Sequence, residues 1–219
     1  MKNVLYVFGG SNDGVTVTSA VWAYNPATNK WSAKSPMPTA RASVGAAVKN
    51  NIIYLIGGTD GHSRFNTVES YNPATDTWME EAPLLVGKSE PSVGLIGTTI
   101  VAADGFTASG DTGDTEGDNA TSWTLRTPDP TGRNEACAGS IHGLFYVAGG
   151  SHDGATNNTK VNESFNLSKN KWATLAPIPR PMAAAGSAVN KGRLYCFGGG
   201  DTTVSFQGKV FNLVQIYQP

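Results

Sequence analysis

The chain has 219 residues and a net charge of −1, with a pI near 6.3. No basic run is present, which disfavours nucleic acid as a partner, and no apolar stretch approaches the roughly 18 residues that a membrane span needs. Glycine accounts for 26 residues, well above the usual level of roughly 7%, as expected of a single all-β domain with many tight turns and a sizeable core.

Met1 leads directly into an apolar run, so no secretory signal is expected and the default location is cytoplasmic. From there a repeat runs along the chain. Double glycines stand at Gly9-Gly10, Gly57-Gly58, Gly149-Gly150 and Gly198-Gly199, with a degenerate copy at Asp104-Gly105. The steps between first members are 48, 47, 45 and 49 residues, and Trp31, Trp78, Trp123 and Trp172 keep the same beat. A period in the forties points to a solenoid or a propeller. Helical repeats are excluded, because no segment has an apolar face at 3.6-residue spacing and turn residues interrupt every eight to twelve positions.

Each repeat resolves into four short strands, here called a to d from the inside outward. In the second repeat these are predicted at about 42–48, 52–56, 67–71 and 77–79. Lys49-Asn50-Asn51 makes the a–b turn, and Asn72-Pro73-Ala74-Thr75 makes the c–d turn, with proline presetting φ. Strand a is rich in Gly, Ala and Ser, which suits the narrow inner edge of a wedge. The double glycine ends strand b where a positive φ or a close approach is required. Radial repetition of such sheets leaves few open edges, and the expected fold is a β-propeller.

The repeats fall at about 1–33, 34–80, 81–126, 127–174 and 175–219, all within one domain spanning 1–219. The first begins at strand b and lacks a. The fifth has a (183–189), b (193–197) and c (210–217) and lacks d. That gives about five blades and 18 strands, with incomplete first and last blades, or part of a larger ring. A seam with unpaired strand edges invites homodimerisation. Cys137 and Cys196 fall on a strand a and a strand b of neighbouring repeats and are expected to be buried free thiols rather than a disulfide.

The double glycine, followed by a tyrosine and by a tryptophan seven residues later, resembles the Kelch family. The pairs are Tyr24/Trp31, Tyr71/Trp78 and, with phenylalanine substituted, Phe165/Trp172. The resemblance covers essentially the whole chain. It implies a Kelch-type propeller, but its motifs are nearly silent on activity.

The third repeat departs most from the pattern. Asp104 replaces the first glycine, Asp118 replaces the tyrosine, and the c–d turn is two residues shorter. Asp111, Asp114, Glu116 and Asp118 form a weak calcium candidate, although their spacing matches no defensible calcium loop. A solvated acidic loop is the favoured reading.

Antiparallel order places the b–c and d–a loops on one face. The residues sixteen positions before each first glycine are Arg41, Lys88, Arg133 and Met182. Three cations are therefore expected at the mouth of the channel, where they would attract carboxylates or acidic peptides. The resemblance supports this for Arg41 and Arg133 directly and for Lys88 less strongly, since Kelch propellers often carry an arginine there and bind partners on that face. The competing reading is that these side chains bond loop carbonyls and brace the blade junctions.

The b–c loops vary in length and offer Asp60, His62, Arg64, His152, Asp153 and Phe206 as exposed contacts. Glu69, Glu116 and Glu163 recur once per repeat, which suits structural bonding better than catalysis. No catalytic constellation, metal-ligand spacing or phosphate loop is visible. The expected function is a non-enzymatic interaction module for a protein or acidic peptide, without cofactor. The alternative is a carbohydrate or small-ligand binder, with hydrolase or isomerase activity as an extension.

Overall fold

A computed structural model describes residues 3–152, 157–200 and 210–219. Among them every regular element is a strand, and no helix is long and apolar enough to cross a membrane. Blade 1 contains β1 (Leu5–Phe8), β2 (Val21–Asn25) and β3 (Lys30–Lys34). Blade 2 contains β4 (Gly45–Lys49), β5 (Ile52–Ile56), β6 (Val68–Asn72) and β7 (Thr77–Glu80). In blade 3, β8 (Ser92–Ile96) and β9 (Thr99–Ala103) lead to a small loop hairpin of β10 (Phe106–Thr107) and β11 (Gly110–Asp111). The blade then closes with β12 (Glu116–Asp118) and β13 (Trp123–Leu125).

Blade 4 follows the same plan. Strands β14 (Cys137–Ile141) and β15 (Leu144–Ala148) precede a hairpin of β16 (Ser151–His152) and β17 (Asn157–Asn158), and β18 (Asn162–Asn166) and β19 (Lys171–Thr174) complete the sheet. Blade 5 has β20 (Ala183–Asn190), β21 (Arg193–Gly200) and β22 (Val214–Tyr217). Among the described residues the five antiparallel blade sheets contain three, four, four, four and three strands, which is the predicted 18. The two loop hairpins lie outside the blades and were not anticipated. Strand a of blade 2 starts at Gly45 rather than 42, because Ala42 instead bridges Thr59 and Ser43 takes a left-handed φ of 54°.

The core lies between blades rather than within one centre. Val21, Met37, Ile53, Leu55 and Tyr71 fill the 1–2 junction, with Tyr6, Phe8 and Trp78 packed against them. Val68, Ile100 and Trp123 belong to the 2–3 junction, and Val101, Phe145, Phe165 and Trp172 to the 3–4 junction. Trp78, Trp123 and Trp172 also donate their indole N–H to the segment just before their own blade. Trp78 bonds the carbonyl of Ser35, Trp123 that of Ala82 and Trp172 that of Thr127, all at 2.9 Å. A buried indole gains both area and a satisfied donor in this way, which is why the tryptophan period tracks the blade period.

The two outer flanks have no blade against them among the described residues. On blade 1, Trp22 and Trp31 are 46% and 52% exposed, and on blade 5, Phe197 and Ile216 are 45% and 55% exposed. The expectation of free thiols is overturned: Cys137 of β14 and Cys196 of β21 are joined in a disulfide within the 4–5 core. The sequence placed the two cysteines on strand a and strand b of neighbouring repeats, but it did not show that these two strands face each other across the junction.

Candidate functional site

The rim carrying the b–c and d–a loops is built by the double glycines. Gly57 has a φ of 65°, and a Cβ there would lie 2.3 Å from the carbonyl oxygen of Lys88, so any side chain would push the next blade away. The following glycine then donates its amide to that same carbonyl. Gly10 bonds Arg41, Gly58 bonds Lys88, Gly105 bonds Arg133 and Gly150 bonds Met182, at 2.8–3.1 Å. The position sixteen residues before each first glycine is therefore a backbone clasp between neighbouring blades.

The side chains of that position turn inward. Arg41, Lys88 and Arg133 are fully buried, not displayed at a channel mouth. Each pairs with the recurrent glutamate of its own strand c: Arg41 with Glu69 at 3.1 Å, Lys88 with Glu116 at 3.4 Å, and Arg133 with Glu163 at 2.9 Å. Carbonyls supply further acceptors, with Arg41 donating to Thr67 and Leu55, Lys88 to Asp114, and Arg133 to Val147. The glutamates have second donors of their own. Thr39 donates to Glu69, and the amides of Leu85 and Val86 donate to Glu116. In blade 5 a neutral pair replaces the ions, Gln215 donating to Met182 and bonding the backbone of Arg180. The similar periods of the cations (steps of 47 and 45) and the glutamates (47 and 47) were a signal for this pairing.

The 3–4 junction departs from one-to-one pairing. Arg133 also meets Asp129 at 3.1 Å and Asp104 at 4.0 Å, so one guanidinium faces three carboxylates. Asp104 adopts the left-handed φ of the glycine it replaces, 59°, which aspartate tolerates better than most residues. Burial pushes the Asp104 carboxyl up to about 7 against the pull of Arg133 and Lys88. Burial, together with Asp104 and a hydrogen bond to Glu163, pushes Asp129 up to about 9. Asp104 and Asp129 are therefore biased toward their protonated forms. Burial also lowers Lys88 and Arg41, partly offset by Glu116 and Glu69. Asp129 was not singled out from the sequence, since it recurs in no other blade.

Solvent-facing chemistry on this rim lies in the loops. A cleft of about 520 Å³ opens between the d–a and b–c loops of blade 3, bordered by Arg64 of blade 2 and by Val86, Thr107, Asp111 and Asp114. The guanidinium of Arg64 sits over the Phe106 ring at 5.1 Å, a cation–π contact that fixes it at the cleft edge. Asp60 accepts the amides of His62 and Ser63 and is held below the usual carboxylate range by them, so it shapes the loop that presents exposed His62. His152 lies in β16 of the blade 4 hairpin. Asp153 and Phe206 fall outside the described residues.

The weak calcium set does not converge. Asp111 accepts from Asn134, Glu116 is buried against Lys88, and Asp118 pairs with Lys49 at 2.7 Å. Among the described residues no group of three or more His, Cys, Asp or Glu side chains is placed to hold a metal ion.

Three segments, 1–38, 40–85 and 132–179, match the Kelch motif. Kelch-like protein 21 of Rattus norvegicus is 38% identical over 56 residues, which is 26% of this chain and 9% of that protein. The solved structure titled "Structure of YjhT" superposes with a TM-score of 0.85 at 19% identity, covering 100% of this chain and 79% of that one. At that identity the likeness concerns the fold. With the motif matched over more than half its length, and with the clasped double glycines and the Tyr/Trp stacks in place, the chain belongs to the Kelch-motif family.

Proposed function

We propose that this chain is a non-enzymatic binding module that engages a protein or peptide through the loop cleft between blades 2 and 3. The observation that carries this reading is Arg64, held over Phe106 at the edge of a groove whose other side bears Asp111 and Asp114. A cation and two carboxylates lining one groove suit a segment that offers a carboxylate to Arg64 and a donor to Asp111 or Asp114. His62 and Asp60 extend the same loop surface.

In this reading Arg41, Lys88 and Arg133 serve recognition from beneath, as positioning residues. They hold the loops in register while their own charges are neutralised within the fold. An acidic peptide would then be recognised at Arg64, not by a ring of cations. The cystine between blades 4 and 5 favours an oxidising compartment over the cytoplasm expected by default.

A peptide-display selection against the intact chain tests the proposal. Binders should lose at least tenfold affinity for Arg64→Glu, while the melting temperature stays unchanged and Lys30→Glu on the opposite rim has no effect. Binders indifferent to Arg64→Glu would remove this cleft from consideration.

A further inference from the structure

In blades 1, 2 and 4 an aromatic ring on strand c lies against the strand d tryptophan. The centroid distances are 5.0 Å for Tyr24–Trp31, 4.9 Å for Tyr71–Trp78 and 5.2 Å for Phe165–Trp172. In each case the two residues are directly opposite in register. In blade 3 the same register brings Asp118 opposite Trp123. A ring is thus missing from the pattern at this junction.

A cavity of about 210 Å³ lies there, opening toward the a–b and c–d turns on the rim opposite the loop cleft. Its walls reproduce the surroundings of the Tyr71 ring one junction earlier. Tyr71 packs edge-on to Tyr6 of blade 1 at 5.9 Å and belongs to one cluster with Ile53 and Trp78. The cavity is lined by Tyr54, Ile100 and Trp123, which occupy the places of Tyr6, Ile53 and Trp78 relative to the repeat. Its polar end is made by Lys49 and Asp118, paired at 2.7 Å, and by Glu81. At the 1–2 junction the tyrosine hydroxyl donates to the carboxylate of Asp76 at 2.6 Å, so a carboxylate beside the hydroxyl is again the matching feature.

We infer that this cavity binds a small monocyclic phenol. The ring lies against Trp123 and Tyr54, and the hydroxyl reaches the Lys49–Asp118 pair. Apolar cavities of about 150 Å³ already admit a benzene-sized ring, and the larger volume leaves room for the hydroxyl. The polar end disfavours a bare hydrocarbon, which would strip water from two charges without replacing their hydrogen bonds. The inference is independent of the partner proposed for the opposite rim.

The test uses the intact chain and p-cresol as probe, following the Trp123 indole and Ile100 amide resonances. A saturable shift with a Kd of about 1 mM or tighter is expected, with toluene at least tenfold weaker and glucose without effect. Asp118→Tyr supplies the ring from the chain itself and should abolish binding. Should that variant not fold, the double variant Lys49→Met, Asp118→Asn keeps the cavity and should erase the preference for p-cresol over toluene. Absence of a saturable shift at about 10 mM probe, an equal response to glucose, or an undiminished p-cresol preference in these variants would overturn the inference.

Discussion

Blade 2 meets blade 1 through a closed aromatic stack, whereas blade 3 meets blade 2 across a partly polar cavity. Both blades use the same strand order, the same double-glycine clasp and the same buried cation–glutamate pair. The two substitutions that distinguish blade 3 act at opposite ends of the sheet. Asp118 removes a ring from the outer part of the 2–3 junction, and Asp104 adds a carboxylate to the 3–4 junction. The backbone frame therefore does not depend on the aromatic motif being complete. The features shared by both junctions, the backbone clasp and the balanced buried charges, are then expected to hold it.

The sharpest challenge to that statement is to unbalance the charges. Arg133→Met should destabilise the chain by about 3–5 kcal/mol, because Glu163, Asp129 and Asp104 lose their common cation in a buried site. Lys88→Met should cost less than Arg41→Met, since Glu116 keeps two backbone amide donors whereas Glu69 keeps one hydroxyl. Urea unfolding of the three variants gives the order directly, and equal losses for Lys88 and Arg41 would show that the second donors do not matter.

Comparable in size, Tyr71→Ala would give blade 2 the cavity of blade 3. Truncating a fully buried aromatic costs about 3–5 kcal/mol, and added p-cresol should restore part of the lost melting temperature. No restoration would mean that ring packing at these junctions is not interchangeable with a ligand.

A smaller effect concerns pH. Asp104 and Asp129 bind protons more tightly folded than unfolded, so between about pH 4 and pH 7–9 the folded state holds more protons. Their stabilising contribution is present at the acidic end of that window and is lost as pH rises through it. Asp104→Gly restores the double glycine and removes one of these acids. It should raise stability at pH 8 by about 1–3 kcal/mol and flatten the pH profile in urea melts. A profile as steep as that of the parent chain would rule out Asp104 as its source.

The parts of this molecule that depend on repetition were readable from the residues alone. The double glycines and tryptophans specified five sheets and both incomplete ends, because a backbone position that excludes Cβ leaves a mark in any chain. Side-chain direction was harder. Arg41, Lys88 and Arg133 occupy a rim in the chain order, yet their side chains are buried, and only a period close to that of Glu69, Glu116 and Glu163 hinted at it. Pairing across blades was only partly legible: the cysteines could be placed on neighbouring repeats, but not opposite one another. Cys137 with Cys196, and Asp104 with Arg133, are neighbours only once the wedges stand side by side. The cavity at Trp123 is an intermediate case: the missing tyrosine was visible in the sequence, but its consequence required the walls supplied by Tyr54.

The cystine between blades 4 and 5 makes the two ends of the array unequal. Repeat arrays lose structure from their termini inward, each unit being held only by its neighbour. Here the last unit is riveted to the one before it, while the first is kept by packing and the Gly10–Arg41 clasp without a covalent tie. Under oxidising conditions hydrogen exchange should therefore reach the amides of β2 before those of β21, and reduction should bring the two ends to parity.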